Sequence, residues 1–469
     1  MNTSSTKSIS VSATPIGLRR QLGLASATAA VAGESIAVGI FLTPAGMAKS
    51  LGSPFWLLVV WIIVGILTVC GALCYGELAA RFPRNVGIYV YLSETSGRRV
   101  AFLYGWMCLL VLDPGLTAAL AVGLASYVAY IFPSSALVIK FISIGVIWAL
   151  CVLNILSIRV SAGFLRWTTW LKLGVLGLLV LWAFVLRLGS WPNFVPFIAQ
   201  RPGSLPLGPA LGAAMVGAFF SFGGWWDVSK IAGEVRDPGR NLPRAMLLGV
   251  LVVTAIYILV SAAFLYVVPL ERVTSDQTFV AQAGAILFGR AGGIVFAAIV
   301  VVCVVSSLAA LIMSAPRVYY AMAQDGLFLR AVARTHPRFG TPANAIFIQG
   351  LVASVLVSIG SFQQIISYFI FVAVVFLTLT GAGLFIVRSR DQEATPQFLI
   401  PAYPLPLAAF LILMSLLLAL LALHSPQEAL LGTIVVLAGL PVYGAFHRKA
   451  KMTASSRHAL TRSETFKEL

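Results

Sequence analysis

Charged residues are scarce in this sequence. Only 10% of its 469 residues are Asp, Glu, Lys or Arg, whereas a water-soluble globular protein carries about 25%. So few charges cannot cover the surface of a soluble body of this size. The scarcity therefore excludes a soluble globular fold, and 59% of the residues are hydrophobic.

Cysteine and histidine are also rare, with five and four residues. The cysteines all lie inside apolar blocks and none has the spacing of metal ligands, which is typical of small buried hydrophobic residues. The histidines lie in loops or tails. The sequence therefore predicts no metal site and no cofactor. The cysteines are Cys70, Cys74, Cys108, Cys151 and Cys303, and the histidines are His336, His424, His447 and His458.

Several catalytic and energy-coupling motifs are absent. There is no glycine-rich Lys-Ser/Thr loop of the kind that binds nucleotide phosphates, which excludes an ATP-driven pump. No nucleophile motif, paired-histidine site or soluble domain indicates an enzyme. Nothing suggests the symmetric rings of a selectivity filter, although a channel remains the alternative from a different functional class.

Long apolar runs dominate what is present. A membrane-spanning helix needs about 20 apolar residues, and the sequence lacks the alternation typical of barrel strands. We therefore predict an all-α polytopic membrane protein with twelve transmembrane helices. The predicted spans are 22–49, 54–80, 98–130, 137–158, 161–187, 208–234, 243–269, 291–325, 343–361, 365–388, 403–424 and 428–447.

Most basic residues lie in the loops and tails outside the apolar runs. The net charge is +17, and 25 of the 32 Lys and Arg residues lie in tails, loops or the adjoining ends of spans on the side of the two termini. This asymmetry predicts cytoplasmic termini in a multi-pass protein of the cell (inner or plasma) membrane and argues against a nucleic-acid partner. We expect an N-terminal tail over 1–20 and a basic C-terminal tail over 448–469, with residues from 447 onwards disordered.

Glycine interrupts two of the spans. The first contains GESIAVG at 33–39 and the sixth contains SFGGWWD at 221–227. They begin two five-helix halves, and such matched interruptions indicate a transporter site lined by unwound backbone. We predict breaks near 36–39 and 221–225 that face each other. The alternative is that the glycines only permit close helix packing.

Four separated motifs carry a family resemblance. Their sequences are YGELAARFPRNVGIY at 75–89, GEVRDPGRNLP at 233–243, PRVYYAMAQDG at 316–326 and TP at 341–342. In this order they resemble the amino acid–polyamine–organocation superfamily, and FSFGGW at 220–225 resembles its L-type amino acid transporter branch. The resemblance covers about residues 20–390.

The resemblance implies a LeuT-like five-plus-five inverted repeat over 21–390, followed by two further helices over 391–447. Helices 1 and 6 would be broken around a central substrate site. In the family, the first break reads Gly-Ser-Gly-Ile-Phe and its amides hold the substrate carboxylate. The matching positions here begin with Ala37, Val38 and Gly39. A serine hydroxyl is therefore missing, and valine adds bulk.

Ionisable residues inside spans are functional candidates because burying them in a membrane is costly. Glu34 lies one turn before Gly39, and Asp113 precedes Pro114 in the third span. Two carboxylates beside one cavity would favour a cationic guest or share a proton. The alternative for each is a hydrogen-bonded or cationic partner within the protein. Glu77, at a loop, is interpreted as a structural partner of basic neighbours.

Two further charges have predicted roles. Lys172 matches a lysine found in many sodium-independent family members. The match implies a permanent cation bridging helices 1 and 8, or a proton carrier if burial favours the neutral amine. Its alternative is a structural charge pair. Asp227 follows the second break and is interpreted as a cap of the lower half-helix, because an acid stabilises a helix N-terminus. Lys140 lies near a span end, from which it can reach the interface.

The function that follows is secondary transport of amino acids or related amines by alternating access, sodium-independent and driven by protons or exchange. A polyamine or organic-cation permease of the same superfamily is the alternative. The partners are a small amino acid or amine, the lipid bilayer and, as a candidate, protons.

The predicted coupling residue is Lys172. No catalytic residue is predicted. Aromatic residues flank the second break, and the family resemblance implies that Phe220 is the gate. The predicted substrate-binding residues are Glu34, Ser35, Ile36, Ala37, Val38, Gly39, Asp113, Phe220, Ser221, Phe222, Gly223, Gly224 and Trp225.

Overall fold

Helices form nearly all the regular structure. The computed structural model describes residues 22–36, 39–83, 87–156, 158–272, 278–329, 331–332, 334–390 and 396–465. Within these ranges, β-pairing is limited to one isolated bridge between Leu22 and Val235. The all-α prediction is confirmed. The helices are α1 Leu24–Ser35, α2 Gly39–Leu51, α3 Pro54–Arg81, α4 Ile88–Thr95, α5 Arg98–Met107, α6 Asp113–Ile131, α7 Ala136–Leu156, α8 Ile158–Val185, α9 Leu207–Phe222, α10 Pro238–Val267, α11 Phe279–Ser314, α12 Pro316–Gln324, α13 Ala343–Ile359, α14 Phe362–Arg390, α15 Leu405–His424 and α16 Pro426–Thr465.

The helices are long and apolar enough for a polytopic membrane protein. Ten in the described part of the chain could each cross a membrane, and α1 with α2 forms a bent pair that makes an eleventh. Helix α13 is apolar but has only 17 residues. These elements follow the order of the predicted spans, while the count of twelve itself stays a prediction.

Packing divides the helices into two groups. In the first, α1 and α3 pack against α10, and α2 packs against α9. In the second, α6 packs against α7, α11 and α13. We call these the bundle group (α1, α2, α3, α9 and α10) and the scaffold group (α6, α7, α11 and α13). They correspond to predicted spans 1, 2, 6 and 7 and to spans 3, 4, 8 and 9.

The third span contains a π-helical turn. It covers Cys108–Leu112 and joins α5 to α6 immediately before Asp113 and Pro114. Proline lacks the N–H that a regular helix would use, so the hydrogen-bond ladder loosens at this point. The helix is therefore irregular at Pro114, and the π-helical turn changes the direction in which the following residues face. A second irregularity lies in α11, which bends at Phe288 and Gly289.

The C-terminal segment differs from the expectation of disorder. The backbone of α16 is helical through Thr465. Beyond Gly444 the described segment has neither proline nor glycine and is rich in Ala, Lys and Arg, which are strong helix formers. Local helix propensity therefore outweighs its high charge.

A buried ion cluster joins α3 to α14. Glu77 is fully buried, and its carboxylate accepts hydrogen bonds from Arg81 at 3.0 Å, from Nε of Arg388 at 2.8 Å and from the backbone N–H of Ile400 at 3.0 Å. The Arg388 guanidinium also lies 3.8 Å from the ring centre of Tyr403. The structural pairing of Glu77 with basic neighbours is confirmed, and its partners extend to α14 and the segment that follows it.

Glu77→Gln should destabilise the protein by about 3–5 kcal/mol, because two guanidinium groups would lose their buried counter-charge. Glu271→Gln is the matched control, since Glu271 also pairs with an arginine, Arg201, but its side chain is 64% exposed. That variant should lose about 1 kcal/mol at most. Thermal unfolding of both variants in detergent measures the difference. Equal unfolding temperatures would contradict the structural role of Glu77.

Candidate functional site

The first span is broken where the sequence predicts. Helix α1 ends at Ser35, Ile36 has the non-helical angles φ −76° and ψ 51°, and α2 begins at Gly39. The two helices are inclined by 46°. Two predicted site residues, Ala37 and Val38, lie outside the described residues. The prediction of a broken first helix is confirmed.

The sixth span is broken as well. Helix α9 ends at Phe222, and Gly223 continues with an extended ψ of 148°. Gly224 has φ +101°, a conformation that residues with a side chain rarely adopt. A 3-10 helix, Asp227–Glu234, then forms the lower half. The glycine pair is therefore the local cause of the break.

The two breaks touch each other. A Cβ atom on Gly39 would overlap Cα of Ser221 and lie 2.6 Å from its Oγ, so only glycine fits at this position. Thr43 and Ser221 are joined by a hydrogen bond of 2.6 Å between their hydroxyl oxygens. The Tyr257 hydroxyl lies 2.7 Å from the carbonyl oxygens of both Ser35 and Ser221. One tyrosine therefore holds both interrupted helices at their ends.

Helix ends of opposite polarity meet at these breaks. The C-terminal ends of α1 and α9 present carbonyl groups without helical partners, whereas the N-terminal end of α2 presents free N–H groups. Helix dipoles add partial negative charge at the first two ends and partial positive charge at the third. A molecule that carries both an ammonium and a carboxylate group matches this arrangement.

A cavity of about 600 Å³ adjoins the breaks. This volume lies within the range of small-molecule sites. Its walls come from both helix groups and from α8 and α14, and most of them are apolar. The residues that line it are Leu22, Ala25, Ser26, Ala29, Ala30, Gly33, Glu34, Ser35, Gly39, Leu116, Leu120, Thr169, Trp170, Lys172, Leu173, Phe220, Gly223, Gly224, Trp226, Asp227, Ser307, Ala310, Leu311, Met313, Ser314, Arg317 and Phe369.

The cavity extends from the breaks towards one end of the molecule. Leu22 at the start of α1 and Arg317 at the start of α12 line that end. On the other side of the breaks, α2 packs against α9. The Phe220 ring meets the rings of Phe362 and Phe369 edge-on, each at 6.3 Å between centroids. Phe220 therefore lies at the inner end of the cavity, where a gate would stand.

Charged side chains line the cavity from two different helices. Glu34 faces it from α1, and its Oε2 atom accepts no hydrogen bond from the described residues. Lys172 faces it from α8 and is 2% exposed. Its ammonium group donates to Oγ of Ser307 on α11 at 2.6 Å. Contact between Lys172 and the eighth span is therefore present.

Asp113 does not line this cavity. It lies in a separate small cavity with Asp227 and Lys230, and Leu116, Trp226, Asp227 and Phe369 form a shared wall between the two. The π-helical turn before Asp113 sets its direction. Of the two acids predicted at the cavity wall, the structure places Glu34 there and places Asp113 behind it.

Asp227 pairs with a lysine that sequence reasoning did not select. Its carboxylate lies 2.9 Å from Nζ of Lys230, three residues later. The residue at the cap position is Trp226, and it makes no side-chain capping bond. Asp227 is the first residue of the half-helix, so its predicted position is right. Its carboxylate, however, forms an ion pair with Lys230. The spacing of three residues between opposite charges was the available signal.

The aromatic residues of the second break face in different directions. Phe220 and Trp226 line the cavity. Phe222 is 1% exposed and packs against Trp61 and Tyr257, and Trp225 packs against Tyr75. Ile36 and Ser221 are also buried beside the cavity rather than on its wall. The predicted site residues on the wall are Glu34, Ser35, Gly39, Lys172, Phe220, Gly223 and Gly224.

Comparison with known proteins agrees with the motifs. The sequence profile of the family described as "Amino acid permease" matches residues 22–442. The chain is 31% identical over 443 residues to the serine/threonine exchanger SteT of Bacillus subtilis (strain 168), covering 92% of this chain and 98% of the relative. It is 27% identical over 435 residues to the b(0,+)-type amino acid transporter 1 of Mus musculus, covering 92% and 88%. It is also 27% identical over 449 residues to the large neutral amino acids transporter small subunit 2 of Mus musculus, covering 91% and 81%.

Proposed function

Because the chain belongs to the amino acid permease family and transports or exchanges amino acids, we propose that its substrates are neutral and cationic amino acids. It is a transporter and not an enzyme. The proposed mechanism is sodium-independent alternating access in the cell membrane, with both termini in the cytoplasm. With that orientation, the cavity opens to the cytoplasm.

The α-ammonium and α-carboxylate groups of an amino acid suit the helix ends at the breaks. The free N–H groups of α2 favour a carboxylate. The carbonyl ends of α1 and α9 favour an ammonium group. One relative is a serine/threonine exchanger and another a large neutral amino acids transporter by name, which supports neutral amino acids as one substrate class.

Glu34 is the observation that carries the proposed preference for positive charge. Its carboxylate lies on the cavity wall, and its Oε2 atom accepts no hydrogen bond from the described residues. A buried carboxylate of this kind is stabilised by a positive group and repels a negative one. The side chain of a cationic amino acid, or the α-amine of a neutral one, would supply that positive group.

Lys172 supports independence from sodium. Its ammonium group is buried at the cavity and is held by Ser307. It places an ammonium group between the bundle group and the scaffold group, as the resemblance to sodium-independent family members implies.

Glu34→Gln should weaken binding of cationic amino acids by about tenfold or more, since a hydrogen bond to a charged group contributes about 1.5–3 kcal/mol. Neutral amino acids should lose less. Inhibition of labelled uptake in proteoliposomes by arginine, lysine, serine, leucine, glutamate and aspartate measures both classes. Glu271→Gln, a change in an exposed carboxylate, serves as the control.

Two outcomes would contradict this assignment. If glutamate or aspartate is carried best, the charge argument fails. If Glu34→Gln leaves all affinities unchanged but abolishes uptake driven by a pH gradient, Glu34 is a proton carrier without substrate contact. Amines without a carboxylate, such as putrescine, belong in the same assay because the Glu34 carboxylate also favours the alternative of an organic-cation permease.

A further inference from the structure

A second, smaller cavity lies behind the wall of the first. Its volume is about 30 Å³, enough for about one water molecule. Tyr104, Cys108 and Asp113 line it from the third span. Asp227 and Lys230 line it from the 3-10 half-helix of the sixth span. The side of α14 that closes it is apolar, with Phe369, Ala373, Phe376 and Leu377.

Asp113 is incompletely satisfied in this cavity. The residue is 5% exposed, and its Oδ2 atom accepts no hydrogen bond from the described residues. The hydroxyl of Thr117, one turn later, donates to the backbone carbonyl of Asp113 at 2.7 Å and not to its carboxylate. A charged carboxylate in this position is costly, and binding a proton removes that cost.

The charged groups that line this small cavity do not cancel. Lys230 is 6% exposed and forms an ion pair of 2.9 Å with Asp227, so one ammonium group faces two carboxylates. The other titratable groups near Asp113 are Tyr104 and Cys108 on the same span and Tyr319 on α12. The hydroxyl group of Tyr319 donates a hydrogen bond of 2.9 Å to Oε1 of Gln349 on α13. Within this lining, one further positive charge would balance the two carboxylates. Glu34 and Arg317 lie in the adjoining main cavity, beyond the shared wall.

We propose that Asp113 binds the proton whose movement drives uptake, and that Lys230 and Asp227 transmit its charge state to the sixth span. This inference rests on the proposed function. A proton from bulk water binds to the carboxylate of Asp113 and later returns to bulk water on the other side. The small volume and the adjacent ammonium group favour a proton over sodium, which needs several oxygen ligands.

The position of the cluster explains how a proton could affect transport. Asp113 begins α6 in the scaffold group, whereas Asp227 and Lys230 belong to the half-helix that continues the broken sixth span of the bundle group. When Asp113 is charged, it attracts Lys230 and holds the two groups together. When Asp113 is protonated, Lys230 interacts only with Asp227 of its own half-helix, so the half-helix can move away from α6.

The test measures protons moved per substrate molecule. Proteoliposomes in sodium-free buffer contain a trapped pH dye and receive the amino acid that the uptake panel identifies as carried fastest. The intact protein should move about one proton per substrate. Asp113→Asn should reduce that ratio to near zero, Asp113→Glu should restore it, and Glu271→Gln should leave it unchanged. A ratio near one in Asp113→Asn, or near zero in the intact protein, would overturn the proposal.

A second variant tests the proposal even if Asp113→Asn does not fold. Lys230→Met removes the only ammonium group that lines this cavity among the described residues. The pH at half-maximal proton-driven uptake should then rise by about one unit, because a neighbouring cation favours the charged carboxylate. An unchanged pH profile overturns the proposal. If no amino acid or amine is carried at all, the proposed function fails; if exchange proceeds without proton movement, only this inference fails.

Discussion

Lys172→Ala is expected to reduce uptake by about a hundredfold or more while the protein still folds. The ammonium group of Lys172 lies 2.6 Å from Oγ of Ser307, and the side chain lines the same cavity as Glu34. Alanine would remove the fixed charge that links α8 to α11 at the broken helix. Losing a buried charge-assisted contact of about 2.7 kcal/mol corresponds to a hundredfold change in an equilibrium or rate constant.

Lys140→Ala is the matched control for this experiment. Lys140 also lies within an apolar helix, but its ammonium group donates to the backbone carbonyl of Ser358 at 2.7 Å near the end of α7. Its loss should change uptake by less than about threefold. Size-exclusion profiles of both variants report folding. A fully active Lys172→Ala variant, or uptake by the intact protein that depends strictly on sodium, would refute the role of Lys172.

Gly39→Ala is expected to abolish transport and to lower the unfolding temperature. A methyl group at this position would overlap Cα of Ser221 and approach its Oγ to 2.6 Å. Because Cα belongs to the backbone, no side-chain rotation relieves the overlap, and α2 must move away from α9. That movement would also break the hydrogen bond between Thr43 and Ser221. Overpacking of this kind costs about 1–3 kcal/mol or more.

Gly145→Ala provides the comparison at a glycine that has no close neighbour. Gly145 lies inside α7, and a Cβ atom there meets no atom within 4 Å. Alanine is a better helix former than glycine by about 1 kcal/mol, so this variant should be at least as stable as the parent and should transport normally. Normal transport by Gly39→Ala would show that the two breaks are less tightly packed than the structure indicates.

The membrane class and the breaks could be predicted because their causes are local. Apolar runs of sufficient length specify spanning helices whatever they pack against. Glycines interrupt a helix through their own backbone freedom, as Gly224 does with φ +101°. The sequence also located Glu34 and Lys172 within spans, and both line the cavity. The position of the site along the chain could therefore be predicted without knowing the fold.

The directions of individual side chains were not predictable in the same way. Phe220 and Phe222 are two residues apart on α9, which places them about 200° apart around the helix. One lines the cavity and the other packs against Tyr257. The rotation of α9 about its own axis depends on its packing against α2 and α3, which are distant in sequence. An aromatic run beside a break therefore indicates a site without saying which ring faces it.

The sequence by itself determined that this protein spans a membrane, belongs among amino acid carriers and has two interrupted helices. Only the tertiary structure decided that Asp113 leaves the main cavity, joins Asp227 and Lys230, and keeps an unsatisfied oxygen. The physical reason is that the interaction of charges depends on distances between helices far apart in the chain. A π-helical turn and the rotation of two helices fix those distances, and neither can be read from the spacing of residues.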